Sequence, residues 1–253
     1  MLVIAAPLAE RLVIYPLDDT RVLPADADLP TVTEEVIHRG GEELIVWTAP
    51  PTPGKPVIFY LHGNAGNLAN RASRFNLFLQ RGYGLVAPAY RGYSGSSGTP
   101  QEAAIIGDTV AIFDSLVHPM QASVVVYGES IGAAVTLGVL EAGIEPDAIL
   151  LEAPYTSIVA MAAHHYPGNG GFAKRLSNQW DSLSRAETLT LPLLILHGSE
   201  DTLIPIEMGR QIFTAAPSQN KVFVEAPGAG HTGLWRTDTW PQLTRFINQF
   251  ALR

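Results

Sequence analysis

The hydrophobic pattern of the chain changes rhythm near residue 56. Before that point the apolar runs are short and separated by polar residues. Arg11-Leu12-Val13-Ile14-Tyr15 is rich in strand formers, and residues 34–38 and 43–48 read as two more strands. Gly40-Gly41 between the latter two reads as a hairpin turn, so these segments are expected to be antiparallel edge strands. From Pro56 the runs become continuous. Val57-Ile58-Phe59-Tyr60-Leu61, Gly84-Leu85-Val86-Ala87-Pro88 and Ser123-Val124-Val125-Val126-Tyr127 have the unbroken apolar character of strands covered on both faces. Shorter runs at 148–151, 193–196 and 221–224 repeat it. Helical spacing fills the intervals: 69–80, 105–116, 131–140, 205–216 and 239–250. Strands alternating with helices predict an α/β fold, a mostly parallel eight-stranded sheet with helices on both faces. In such sheets ligands bind at the carboxyl ends of the strands. Residues 154–191 break the rhythm and are too long for one crossover, so they are expected to form a small cap on a single domain spanning 1–253.

Composition narrows the chemistry. Cysteine is absent, which removes disulfides, thiolate metal sites and a cysteine nucleophile. Net charge is −8 and there is no Lys/Arg cluster, so nucleic acid is not an expected partner. The apolar start, Met1 to Leu8, is closed by Pro7, Glu10 and Arg11, far short of the roughly 20 residues of a spanning helix. No basic stretch precedes it as in a signal peptide. The expectation is a soluble, cytoplasmic chain with no stable membrane span.

Gly128-Glu129-Ser130-Ile131-Gly132 fits the G-x-S-x-G pattern of a nucleophile elbow. In a chain with 23 glycines such a pattern can arise by chance, so its setting carries the weight: it follows a β run and opens an Ala-rich helix. Glycines on either side remove side chains that would clash at a sharp strand-to-helix turn. Ser130 then stands at a helix N-terminus, where a developing anion is favoured. A serine hydroxyl needs a base, and the base needs a carboxylate. His231 follows the last strand on the loop Pro227-Gly228-Ala229-Gly230 and is the expected base. Asp201, after the run ending at His197, is the expected acid, with Glu200 a lesser candidate. Glu152, which also ends a strand, is a real alternative. The oxyanion donors are expected to be the backbone N–H groups of Ile131 and of Asn64, in the loop His62-Gly63-Asn64-Ala65-Gly66-Asn67. His62 reads as structural, because the triad already has its base. No phosphate loop, dinucleotide fingerprint or His-Glu-x-x-His run is present.

Taken together, Tyr60-Leu61-His62-Gly63-Asn64-Ala65-Gly66-Asn67, Tyr90-Arg91-Gly92-Tyr93-Ser94-Gly95-Ser96-Ser97-Gly98, the elbow, and Leu196-His197-Gly198-Ser199-Glu200-Asp201 resemble the α/β-hydrolase superfamily. Within it they are most similar to the BEM46-like branch with its ABHD13-type and ABHD17-type serine hydrolases. The resemblance implies the α/β-hydrolase fold, a triad of Ser130, Asp201 and His231, and neither metal nor organic cofactor. The expected activity is cleavage of a small-molecule carboxylic ester, with a short to medium acyl chain, through an acyl-enzyme on Ser130. Tyr166, Phe172 and Trp180 are the expected apolar wall of the substrate site. A thioesterase, an amidase or peptidase with the same triad, or a non-catalytic binding protein are the alternatives.

Overall fold

A computed structural model describes residues 14–167 and 173–252; Arg11 to Val13 of the first expected strand, and Phe172, lie outside the described residues. Strands β1 (Thr33–Arg39) and β2 (Glu42–Ala49) form the expected hairpin. Gly40 and Gly41 join them at φ 60° and 84°, both positive as a two-residue turn of this twist requires. The continuous apolar runs become β3 (Val57–Leu61), β4 (Gly84–Pro88), β5 (Val124–Glu129), β6 (Ala148–Glu152), β7 (Leu193–Gly198) and β8 (Lys221–Ala226). They make one eight-stranded sheet in the order β1-β2-β4-β3-β5-β6-β7-β8. β1 and β2 are antiparallel additions, and every pairing from β4 to β8 is parallel. Of the two strands expected at an edge, only β1 lies there; β2 pairs on both sides and its last six residues are buried. Ile14 and Tyr15 are outside the sheet, with the Tyr15 hydroxyl donating to Asn178 Oδ1 at 3.0 Å.

The described residues form seven α-helices: α1 (Ala72–Leu79), α2 (Glu102–Ile112), α3 (Ile131–Glu141), α4 (Ile158–His165), α5 (Ser182–Ala186), α6 (Ile206–Ala215) and α7 (Trp240–Ala251). Alternate residues of the central strands serve the two faces. Ile149, Leu151, Leu193 and Ile195 pack with Ala133 and Leu137 of α3 and Ile212 of α6. Leu150, Leu194 and Leu196 join the larger core that includes Leu243, Phe246 and Ile247 of α7. The helical stretch Glu102–Met120 is long and apolar enough to match a membrane span by length and composition, with mean hydropathy 1.2. Its place in the fold is that of a crossover. Ile105 and Ile112 are buried, and Asp108, also buried, accepts from Arg91 Nε at 2.6 Å and Arg39 Nε at 3.1 Å.

The excursion 154–191 carries α4 and α5 and returns to the core between them. Trp180 is fully buried, against the expectation that it lines a cap wall. Its indole N–H donates to the Tyr15 hydroxyl at 2.9 Å, and its backbone N–H to Glu102 Oε2 at 2.8 Å. An indole with its polar edge satisfied inside the fold is an anchor, not an open surface.

The turn from β5 into α3 depends on close backbone approach. Ser130 sits at φ 54°, ψ −113°. A Cβ on Gly132 would lie 2.0 Å from the Leu61 carbonyl oxygen, and one on Gly128 2.4 Å from the Gly132 oxygen. Gly107, inside α2, has no such neighbour: its Cβ would meet only the end of the Arg39 side chain, at 3.5 Å. Gly132→Ala is therefore expected to destabilise by about 3 kcal/mol or more. Gly107→Ala should stabilise by roughly 0.5–1 kcal/mol. Urea unfolding of the two variants checks the opposite signs.

Candidate active site

The carboxyl ends of β3, β5, β7 and β8 converge on one edge of the sheet, and each contributes a piece of the site. Ser130 is partly exposed on its elbow. Its N–H donates to the Glu152 carbonyl at 2.8 Å, and its carbonyl accepts from Ala133 N–H at 2.9 Å. In a trans peptide the carbonyl and the following N–H point opposite ways. The Ile131 N–H is therefore directed out of the helix start.

The residues expected to be acid and base meet directly. His231 Nδ1 lies 2.8 Å from Asp201 Oδ2. Asp201 Oδ1 accepts from the backbone N–H groups of Leu203 and Ile204 at 2.9 and 2.8 Å. Burial opposes the charge on Asp201. Hydrogen bonds from His197, His231 and the Ile204 N–H outweigh it, so the carboxyl titrates well below the usual range. A carboxylate facing Nδ1 selects the tautomer with the proton there and leaves the Nε2 lone pair free. The two loops are pressed together: Glu200 N–H donates to the Ala229 carbonyl at 2.9 Å, and a Cβ on Gly198 would come within 2.2 Å of the Gly230 oxygen.

Of the alternative acids, Glu200 is exposed. Glu152 is buried but committed elsewhere. It accepts from Arg74 Nη1 and Nη2 at 2.9 and 2.8 Å, from Trp235 Nε1 at 2.7 Å, and from the Tyr127 hydroxyl. Of these three carboxylates, Asp201 is the one in contact with His231.

The loop after β3 is held from several sides. Asn64 Oδ1 accepts from the Tyr93 hydroxyl at 2.5 Å, and its Nδ2 donates to the Ile14 carbonyl. Among the described residues, neither the Asn64 nor the Ile131 backbone N–H has a protein acceptor. His62 is buried, with Nδ1 2.7 Å from the Gly63 carbonyl and Nε2 accepting from Tyr90 N–H at 3.2 Å. Burial, helped by the nearby Arg71 charge, pushes its pKa down to about 3, so the ring is neutral. That is the structural role expected of it.

Two groups escaped sequence reasoning. His197 is fully buried, its Nε2 2.8 Å from the Ile204 carbonyl and 3.5 Å from Asp201 Oδ2, so it braces the acid's loop. A buried ionic network lies under the elbow. Glu129 pairs with Arg71 at 3.1 Å and accepts from the Tyr60 hydroxyl at 2.8 Å, and Arg74 bridges it to Glu152. Burial pushes the Glu129 carboxyl up, but Arg71 and Arg74 prevail and hold it down at about 2. A charged residue at the variable position of the elbow was the only sequence signal for this network. Of the expected wall, Tyr166 is exposed at the end of α4. The neighbouring His165 Nε2 lies 2.7 Å from the Leu203 carbonyl, which brings the end of α4 beside the loop that carries Asp201. Among the described residues, no group of three or more His, Asp or Glu side chains is arranged to hold a metal.

Comparison with known proteins bears on the family and the fold. The family model described as Serine aminopeptidase, S33 matches residues 173–236. The uncharacterised Rv2307c of Mycobacterium tuberculosis (strain H37Rv) is 32% identical, over 83% of this chain and 74% of that protein. The lysophosphatidylserine lipase ABHD12 of Bos taurus is 30% identical over 77% of this chain, which spans 55% of that longer protein. Among solved structures, the esterase Pf2001 of Pyrococcus furiosus superposes with TM-score 0.70 at 18% identity, covering 94% of this chain and 98% of that one.

The depressed Glu129 carboxyl has a consequence for stability. Its contribution is fully present above the ordinary value of 4.5 and is lost as pH falls toward about 2. Glu129→Gln should flatten the fall in unfolding free energy between these limits, as read from urea titrations at a series of pH values. An unchanged slope would show that Glu129 is not held ionised by its arginines.

Proposed function

This chain belongs to the α/β-hydrolase superfamily, and on that premise we propose that it is a serine esterase acting on a small-molecule acyl substrate. The observation that carries the reading is the 2.8 Å Asp201–His231 contact on the strand edge that also presents the Ser130 elbow. Asp201 holds the imidazole with its proton on Nδ1. Nε2 takes the Ser130 hydroxyl proton as Oγ attacks the ester carbonyl carbon. The carbonyl oxygen becomes the oxyanion, met by the Ile131 and Asn64 N–H groups. The tetrahedral intermediate collapses, His231 gives its proton to the leaving alkoxide, and the alcohol departs. Water then repeats the sequence on the acyl-enzyme and releases the acid, restoring Ser130.

Two features support an acyl ester over an amide. The esterase Pf2001 and the lysophosphatidylserine lipase ABHD12, to which the chain is similar, are named for ester cleavage. The cap helix α4 has no buried residue, and it offers Ile158, Val159 and Met161 partly exposed, with Tyr166 beyond its end. Short to medium acyl chains are the first reading. The ABHD12 likeness favours a second, a single-chain lipid ester, and a chain-length series separates them.

Activity on p-nitrophenyl esters from acetate to palmitate is the direct test. Ser130→Ala should lower kcat by at least about 10³-fold, and Asp201→Asn by roughly 10³- to 10⁴-fold through loss of the correct tautomer. Glu152→Gln should lower stability more than turnover by the folded enzyme. Full activity in Ser130→Ala would remove the nucleophile assignment. Activity lost only in a folded Glu152→Gln variant would move the acid to Glu152.

A further inference from the structure

Arg71 closes the short 3₁₀ turn Leu68–Arg71, directly after the loop that carries Asn64, and is buried. Each of the guanidinium's five N–H groups finds an acceptor. Nε donates to Glu129 Oε2 at 3.2 Å, and Nη2 to Glu129 Oε1 at 3.1 Å and to the Gly63 carbonyl at 3.3 Å. Nη1 donates to the Ala65 and Asn67 carbonyls at 2.6 and 3.1 Å. One side chain therefore gathers three backbone carbonyls of the oxyanion loop. It also ties them to the carboxylate immediately preceding the nucleophile.

The direction of these bonds matters more than their number. The Gly63 carbonyl and the Asn64 N–H belong to one planar trans peptide, so they point to opposite sides. With the Gly63 oxygen drawn inward by Arg71 and by His62 Nδ1 at 2.7 Å, the Asn64 N–H is turned outward. The fit leaves no slack. A Cβ on Gly63 would lie 2.7 Å from Glu129 Oε1 and 3.2 Å from Arg71 Nη2. Lysine could keep the charge beside Glu129, but its single ammonium cannot reproduce the planar fork.

We propose that Arg71 is the positioning residue of the oxyanion hole: it aims the Asn64 N–H by holding the Gly63–Asn64 peptide and docks the loop on Glu129. The role is indirect, since Arg71 is buried beneath the loop and acts through the peptide. It rests on the esterase reading above. Misaiming one donor should cost part of what losing it does, about 10- to 100-fold in kcat.

The test uses wild type, Ser130→Ala, Arg71→Lys, Arg71→Met and the double variant Arg71→Met/Glu129→Gln, which leaves no unpaired buried charge. Functional sites are counted by fluorophosphonate labelling, and p-nitrophenyl acetate turnover is expressed per labelled site. A trifluoromethyl ketone of matched acyl length reports on binding of the tetrahedral oxyanion. The expected result for the Arg71 variants is kcat lowered about 10- to 100-fold with KM within about threefold, and a ketone Ki raised in step with kcat. A merely structural role would reduce the number of labelled sites and leave turnover per site unchanged. Turnover and Ki per site within about threefold of wild type in Arg71→Lys or in the double variant overturn the proposal. If wild type cleaves no ester, or Ser130→Ala retains activity, the esterase reading fails and the role of Arg71 falls with it. If those two controls behave as expected while the Arg71 variants do not, only the positioning role is lost.

Discussion

The contact on which the site depends is the approach of α3 to the end of β3. Gly132 packs so closely on the Leu61 carbonyl that no side chain fits between them. This closeness has two consequences. It brings the first turn of α3 beside the loop that begins at His62, so the Ile131 and Asn64 N–H groups belong to neighbouring backbones. It also fixes the path of the chain between β5 and α3, and that path holds Ser130 at a positive φ. A positive φ in a non-glycine residue is a local cost that the surrounding structure must over-determine. Here the Ser130 amide is bonded to the Glu152 carbonyl of β6 and its carbonyl to the Ala133 amide of α3.

Beneath the elbow the protein places a cluster of buried charge. Glu129, Arg71, Arg74 and Glu152 form alternating contacts, closed by Tyr60, Tyr127 and Trp235. Buried ion pairs contribute little net stability compared with good apolar packing, because desolvation offsets their attraction. What they provide is direction. A guanidinium fork fits only certain arrangements of acceptors, so a network of two such forks fixes the loop after β3 and the strand ends β5 and β6 relative to one another. The same logic governs Asp201, whose Oδ1 is taken by two backbone N–H groups so that Oδ2 is left to face His231.

Much of this was legible in the sequence, and for a physical reason. The parallel strands are covered on both faces, so Val57 to Leu61 and Val124 to Tyr127 are uninterrupted apolar runs whose ends mark the catalytic edge. Gly40-Gly41 announces its turn because few other residues tolerate two positive φ angles in succession. The elbow glycines are required by backbone contact and therefore appear as a local pattern. Trp180 was misread because an aromatic residue in an irregular segment looks the same whether it lines a cleft or anchors the segment. Only its hydrogen bonds to Tyr15 and Glu102, far away in sequence, separate the two. Arg71 and His197 were missed for a related reason: besides Glu129 and Asp201 they bond to backbone carbonyls, which leave no trace in side-chain identity.

That last point bears on how such sites are built. An oxyanion hole consists of N–H groups that every residue except proline carries, so its composition says nothing about its aim. The aim lies in the carbonyl on the other end of each peptide, and in whatever holds that carbonyl. At Ile131 the holder is the helix itself, through Ala133 N–H. At Asn64 no regular element is available, because the loop has left the sheet and has not yet entered a helix. A side chain must substitute for the ladder that secondary structure would have supplied. It must donate several bonds in one plane, remain charged in a buried setting, and have a counter-charge fixed to the nucleophile's own strand. Arginine opposite Glu129 meets all three requirements, which lysine, glutamine or a bound water meets only in part.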